Sequence, residues 1–368
     1  MELCDVTIRE GEQMPGRSYS TEQKVAATNA LERLDLDYVQ IGFPAQGRDE
    51  IVDCRAMIDA TDTTTTVIAR AMESDVDAGL ETGADVVEVI APLSDRQLEH
   101  AIGESREEMW SAIGDAIDRV DDGGATAHVV LVDAFRTETR HLVDAFEAFP
   151  TADRITIADS VGARTPAGVR DVLETLDDAN VDLGRAGVHF HDDLGLAAAN
   201  ALVADSAGVE KIDVSVGSLG ERAGNTPIEQ VVAGRTTAGD PPGVRTGELV
   251  PVCRSVLEAL DESISPRKPV LGEDVYTHEA GIHTAVMLDH PDVFEPYAPD
   301  EFGARRRLQF GAKTGRTGAR KLLERAGHEA TDGRIEAFRE TLRDRGPVDL
   351  ETALELAERV DQSGESSE

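Results

Sequence analysis

The sequence predicts a closed (β/α)8 TIM barrel followed by a small, mainly helical C-terminal region. Three observations carry that prediction. Eight short β-branched runs recur with starts about 20 to 40 residues apart. The stretches between them have helical composition and period. No Gly-rich phosphate fingerprint follows the first run, which disfavours an open doubly wound sheet.

The runs, in order, are Leu3–Arg9, Tyr38–Pro44, Thr65–Arg70, Val86–Pro92, His128–Ala134, Arg154–Ser160, Gly187–Asp192 and Lys211–Ser218. Each is short and apolar, as for strands covered on both faces. Between them Glu22–Leu34, Glu104–Val120, Thr165–Leu176 and Ala197–Ser206 read as helices. Eight β-then-α units in succession specify a barrel. Pro241–Gly243 marks its boundary, so residues 1–240 are expected to form the barrel domain. Thr246–Leu260 reads as a helix within a linker and dimerisation region at 241–310, whose later part is Pro-containing. Gly315–Ala326, Asp332–Arg345 and Asp349–Val360 form a helical subdomain at 311–368, with Gln362–Glu368 expected to fray.

Composition narrows the partners. Among 368 residues, 72 Asp and Glu face 36 Lys and Arg, a net charge of −36. That excludes a nucleic-acid binder, whose phosphate contacts need a basic footprint, and argues against docking on anionic membrane. Five lysines occur, Lys24, Lys211, Lys268, Lys313 and Lys321, and the acid is spread evenly. Such a surface resembles that of salt-adapted, haloarchaeal proteins, where ionic strength screens self-repulsion. No run of about 20 apolar residues, no leader-like start, and three scattered cysteines (Cys4, Cys54, Cys253) point to a cytoplasmic, disulfide-free protein.

Polar residues at the C-terminal ends of barrel strands are the catalytic candidates. The first run leads into Arg9-Glu10-Gly11-Glu12-Gln13, and the seventh carries His189-Phe190-His191. Residues two apart on a strand share a face, so both imidazoles can enter the barrel mouth. With Glu10 from the neighbourhood of the first strand they make a site for a divalent metal with open positions. The eighth run is followed by Gly217-Ser218-Leu219-Gly220-Glu221-Arg222-Ala223-Gly224-Asn225, either an ordinary turn into a helix near Thr226-Pro227 or a tight ligand-approaching loop.

These motifs together carry a resemblance. D-x-T-x-R-E-G-E-Q (Asp5 to Gln13), H-x-H-D-D-L-G-L-A-x-A-N (His189 to Asn200), G-E-R-A-G-N (Gly220 to Asn225) and T-H-E-A-G-I-H (Thr277 to His283) occur in that order. They resemble the family that joins acetyl-CoA to a 2-oxo acid: the 2-isopropylmalate, homocitrate and citramalate synthases. The resemblance implies Glu10, His189 and His191 as ligands of Mg, Mn or Zn, with Asn225 nearby or as a fourth ligand. It implies Arg9 as oxyanion stabiliser, and Gln13, Arg70 and Ser160 as substrate-binding. It implies His283 as a catalytic histidine supplied to a partner subunit, hence a domain-swapped homodimer. The implied reaction is a Claisen-type condensation of acetyl-CoA, as co-substrate, with a small 2-oxo acid, closed by thioester hydrolysis to free CoA.

Two strands depart from the family pattern. The fifth run reads His128-Val-Val-Leu-Val-Asp-Ala-Phe-Arg136 where R-F-S-x-E-D-A-x-R is usual, so the usual Glu falls on Val132. The fourth ends without the usual His, and Glu88 is a substitute carboxylate or a wall charge. Ile68–Ala71 looks more like the 2-isopropylmalate type. These departures leave two alternatives open, a non-catalytic or differently specific paralogue and a carbon–carbon lyase of the same barrel class. The chain also stops where related synthases often continue into a feedback domain, so a short form without one is expected.

Overall fold

A computed structural model describes residues 1–360, and the barrel is closed. Its strands are β1 (Glu2–Asp5), β2 (Tyr38–Gly42), β3 (Thr64–Arg70), β4 (Val86–Pro92), β5 (Thr126–Val132), β6 (Arg154–Asp159), β7 (Ala186–Phe190) and β8 (Lys211–Val214). All neighbours pair in sequence order. β8 closes onto β1 in parallel, with Cys4 opposite Asp213. Outward-facing Val67, Val87, Val129, Ile155 and Val188 are covered by helices and fully buried. Ser20 and Ser105 start their helices through capping boxes with Gln23 and Glu108, which satisfy two orphan N–H groups each.

The predicted first strand is too long. β1 ends at Asp5, and Thr7–Gly11 forms one helical turn, so Arg9 and Glu10 project from that turn. The cause is local. The Asp5 carboxylate accepts from the Thr7 N–H (3.0 Å) and hydroxyl (2.8 Å), an Asx-type bond that bends the chain out of the strand. The seventh and eighth strands also end early, at Phe190 and Val214. The eighth stops because the chain turns through left-handed Gly217 and Ser218.

The chain divides into two compact units, Met1–Ile264 and Ser265–Glu368. Helix Leu249–Ala259, beyond the expected barrel boundary at 240, packs within the first unit against helix Thr21–Leu31. Its buried face of Leu249, Val252, Cys253 and Val256 explains that docking. In the second unit, helices Gly281–Met287, Arg316–Arg325, Asp332–Arg345 and Leu350–Arg359 accompany a two-stranded parallel pair, Thr277–His278 with Arg307–Leu308. Phe310, Leu322, Leu323, Phe338 and Leu342 form its core. The fraying expected of Gln362–Glu368 lies outside the described residues. No helix among the described residues is long and apolar enough to cross a membrane.

Candidate metal centre in the barrel mouth

A cavity of about 410 Å³ opens at the C-terminal ends of the strands. Alternate residues along β4 to β7 and just past their ends line it: Glu88 and Ile90, Val130 and Val132, Ala158 and Ser160, His189 and His191. This is the two-residue period of strands turned inward.

On one side, ligand atoms of Glu10, His189 and His191 lie within 4.8 Å of one another. Two segments bring them together, the turn after β1 and the end of β7, and the loop after β8 packs against them with Asn225. Asp5 anchors the turn, and the Thr7 hydroxyl accepts from the Val216 N–H at 2.8 Å, tying it to the segment that follows β8. The loop folds back so that Asn225 bridges His191 and the Gly224 carbonyl accepts from the Asp192 N–H. Two glycines make this possible. A Cβ on Gly220 would lie 1.8 Å from Asn225 Oδ1, and one on Gly224 would lie 1.7 Å from the Ser218 carbonyl; both have positive φ.

The donor set is prepared for a cation. His189 Nδ1 faces Asp213 Oδ2 at 3.1 Å and its Nε2 faces Asn225 Nδ2 at 3.0 Å. The tautomer that satisfies both partners carries its proton on Nδ1, and the Nε2 lone pair accepts from Asn225 Nδ2 and lies 3.7 Å from Glu10 Oε1. His191 Nδ1 and Asn225 Oδ1 are buried without a hydrogen-bond partner. Orphaned buried polar atoms are rare in folded proteins, and His191 is one of the three residues whose ligand atoms cluster. A divalent metal fits this set. Burial holds the His191 pKa down to about 3, with His189 adding to the effect, so that imidazole stays neutral. Burial alone would raise the Glu10 carboxyl, but the Arg9 guanidinium beside it outweighs burial and lowers its pKa.

Arg9 pairs with Glu10 and donates from Nε to Gln40 Oε1 at 2.5 Å. The Gln13 amide, oriented with its oxygen toward Arg9 Nη1 (3.0 Å) and nitrogen toward Glu10 Oε2 (3.3 Å), braces both. Ser160 lines the cavity, its hydroxyl accepting from the Asp133 N–H at 2.8 Å. Arg70 points elsewhere: its guanidinium pairs with Asp75 and lies over the Phe43 ring, and its side chain is 56% exposed. His283 belongs to the second unit, on helix Gly281–Met287, with its ring stacked on Phe294 at 4.1 Å.

Glu88 is not a free carboxylate. One oxygen accepts from Lys211 Nζ at 2.8 Å and the other from Gln40 Nε2. Sequence reasoning missed Lys211, Asp213 and Gln40. The signal available was a lysine and an aspartate two apart in a strand of this lysine-poor chain.

Across from the Glu10, His189 and His191 cluster, Ile68, Ile90, Val130, Val132 and Ala158 make an apolar wall. The lining cations are Arg9 and Arg222. Arg222 is paired with Asp193 and Glu221.

Residues 1–256 match the HMGL-like family model, and residues 270–347 match that of the homocitrate synthase post-HMGL domain-like family. The chain is 34% identical over 339 residues to the probable 2-isopropylmalate synthase of Methanopyrus kandleri, covering 91% of this chain and 67% of that one. It is 35% identical over 338 residues to a homocitrate synthase of the same organism, covering 91% and 85%. To the 2-isopropylmalate synthase of Sulfurisphaera tokodaii it is 32% identical over 367 residues, covering 97% and 95%. It spans 66% of the length of the probable 2-isopropylmalate synthase of Methanosarcina mazei, to which it is 33% identical. The HMG-CoA lyase of Bacillus subtilis shares the fold, with a TM-score of 0.64 at 23% identity over 72% of this chain and 95% of that one.

Proposed function

This chain belongs to the HMGL-like family, and from that premise we propose that it condenses acetyl-CoA with a small 2-oxo acid bearing an apolar side chain. Water then cleaves the thioester, giving a 2-hydroxy dicarboxylic acid and free CoA. The observation that carries the reading is the cluster of Glu10, His189 and His191 in the barrel mouth, with ligand atoms within 4.8 Å of one another.

Glu10, His189, His191 and Asn225 would hold the metal, an Mg, Mn or Zn ion. When bound, it supplies Lewis-acid polarisation of the 2-oxo carbonyl. Arg9, held by Gln13 and Gln40, directs its guanidinium at the oxygen that gains charge as the new carbon–carbon bond forms. Gln13 and Ser160 would hydrogen-bond the substrate's polar end. The proton leaving the acetyl methyl group needs an acceptor other than strand β5, which carries Val132, and other than Glu88, whose oxygens are both engaged. His283 is that acceptor if a second subunit presents it, which makes the working form a domain-swapped homodimer.

The apolar wall supports the side-chain class. Ile68, Ile90, Val130 and Val132 offer no donor to a second carboxylate, and both lining arginines already have anionic partners. A distal carboxylate seated against these four side chains would be desolvated without compensation there. Buried, free Cys4, Cys54 and Cys253 and the dispersed acid suit a cytoplasmic enzyme at high ionic strength.

The test is release of CoA thiol from acetyl-CoA and Mn, in concentrated salt, across a panel of 2-oxo acids. Turnover is expected with branched or short apolar members and not with 2-oxoglutarate. Metal binding with silence across the whole panel would instead establish the non-catalytic reading that Val132 motivates.

A further inference from the structure

We propose that Lys211 is a positioning residue that sets both halves of the site from beneath. Through Asp213 it orients His189, and through Glu88 and Gln40 it orients Arg9. The proposal rests on the metal-site reading above and extends it to residues outside the ligand set.

Lys211 is fully buried inside the barrel, as is Glu88, and Asp213 is 3% exposed. The ammonium donates to Glu88 Oε1 and to Asp213 Oδ1, both at 2.8 Å. Each carboxylate keeps its second oxygen for the next residue. Asp213 Oδ2 takes His189 Nδ1 at 3.1 Å. Glu88 Oε2 takes Gln40 Nε2, and Gln40 Oε1 takes Arg9 Nε at 2.5 Å. Lys211 and Asp213 share a face of β8, two residues apart, while Glu88 reaches in from β4. One ammonium thus ties two arms.

Stability alone does not account for such a trio. Well-packed apolar residues in place of a buried ion pair are often neutral or stabilising. What the trio supplies is direction. A carboxylate on imidazole Nδ1 fixes the ring's rotation and leaves Nε2 toward the ligand cluster. Without the ammonium, Asp213 and Glu88 would be buried like charges with nothing holding their free oxygens toward His189 and Gln40.

The decisive variant is the double substitution Lys211→Met with Glu88→Gln, which leaves the trio's formal charge at −1, as in the parent. Mn binding to the full chain is measured by titration, together with the unfolding midpoint. The expected result is a folded protein with Mn affinity reduced about 10- to 100-fold, the usual cost of losing an outer-shell partner. Gln40→Leu cuts the Arg9 arm alone, so Mn affinity should stay at the parent value while kcat falls at least tenfold. A folded double variant that binds Mn within twofold of the parent would overturn the proposal. If that variant does not fold, long-range ¹⁵N–¹H spectra of the histidine-labelled, metal-free parent decide the point. They should show His189 as the Nδ1–H tautomer, and an Nε2–H tautomer overturns it. A parent chain that binds no Mn would instead remove the metal-site reading itself.

Discussion

One barrel mouth has two unlike walls. The wall from the β1 turn, β7, β8 and its following loop is polar, with nearly every atom committed to a partner or to the ligand cluster. The wall from β3 to β6 is apolar, built of Ile68, Ile90, Val130, Val132 and Ala158. The contrast separates two jobs. Polar geometry is intolerant, because a displaced ligand atom loses its bond outright. Apolar contact is graded, because each methylene contributes about 0.8 kcal/mol wherever it packs. The polar wall therefore fixes the reaction, and the apolar wall chooses among substrates for it.

The sharpest way to break that division is to cut the polar wall. His191→Ala removes one of three clustered ligands while leaving Ile68 and Val130 in place. Mn affinity should fall by more than about 100-fold, the upper end for outer-shell losses, and CoA release should vanish for every 2-oxo acid alike. Calorimetric titration reads the first and a thiol assay the second. A variant that lost activity on some acids and kept it on others would show that the walls do not divide the work.

Cutting the apolar wall should redirect rather than abolish. Ile68→Ala opens space for a longer side chain without touching Glu10 or His189. The ratio of kcat/KM for a longer to a shorter apolar 2-oxo acid should rise by about 10- to 200-fold, the range for discrimination by methylene contacts. Mn affinity should remain at the parent value. An equal loss on both acids would place Ile68 in the chemistry instead of in selection.

The two walls were unequally legible in the sequence. Arg9, Glu10, His189, His191 and Asn225 sit in short motifs, where spacing and strand order state the geometry. The helical turn at Thr7–Gly11 was not legible, because Leu3–Arg9 alternates like a strand and the Asp5–Thr7 bond is a local competitor that pattern does not weigh. Lys211, Glu88 and Gln40 lie on three strands, far apart in sequence, so their link exists only once the barrel closes. Glu88 shows the cost: the sequence offers it as a substitute carboxylate, and the fold uses both its oxygens. The apolar wall was legible as departures from a family pattern, while its meaning as a continuous surface required the register of β3 to β6.

The walls also differ in how they respond to acid, a smaller effect. The His191 pKa is near 3 in the folded chain through burial, against about 6.5 in an unfolded one. Above about pH 6.5 the imidazole is neutral in both states and contributes no pH dependence. Below it the unfolded chain takes up a proton that the folded chain refuses, so stability falls with pH until about 3. The slope from this one group is about 1.4 kcal/mol per pH unit. With chelator present, the stability difference between parent and His191→Gln should shrink at that rate from pH 6.5 downward. Denaturant midpoints across pH measure it, and a difference independent of pH would mean that His191 is not buried as described.

Ile90→Val supplies the matching control and the smallest expected change. It removes one methylene from the apolar wall at a strand position where the larger side chain lines the cavity. The cost in stability should be about 0.5–1.5 kcal/mol. Because no titrating group is involved, that cost should be the same at pH 4 and pH 7, and Mn affinity should not move. A pH-dependent cost would mean that the methylene shields a charged neighbour, and Glu88, two residues away on the same face of β4, is the group it would expose. The apolar wall would then be serving the polar network beneath it as well as the substrate, and the two walls would have to be treated as one structure.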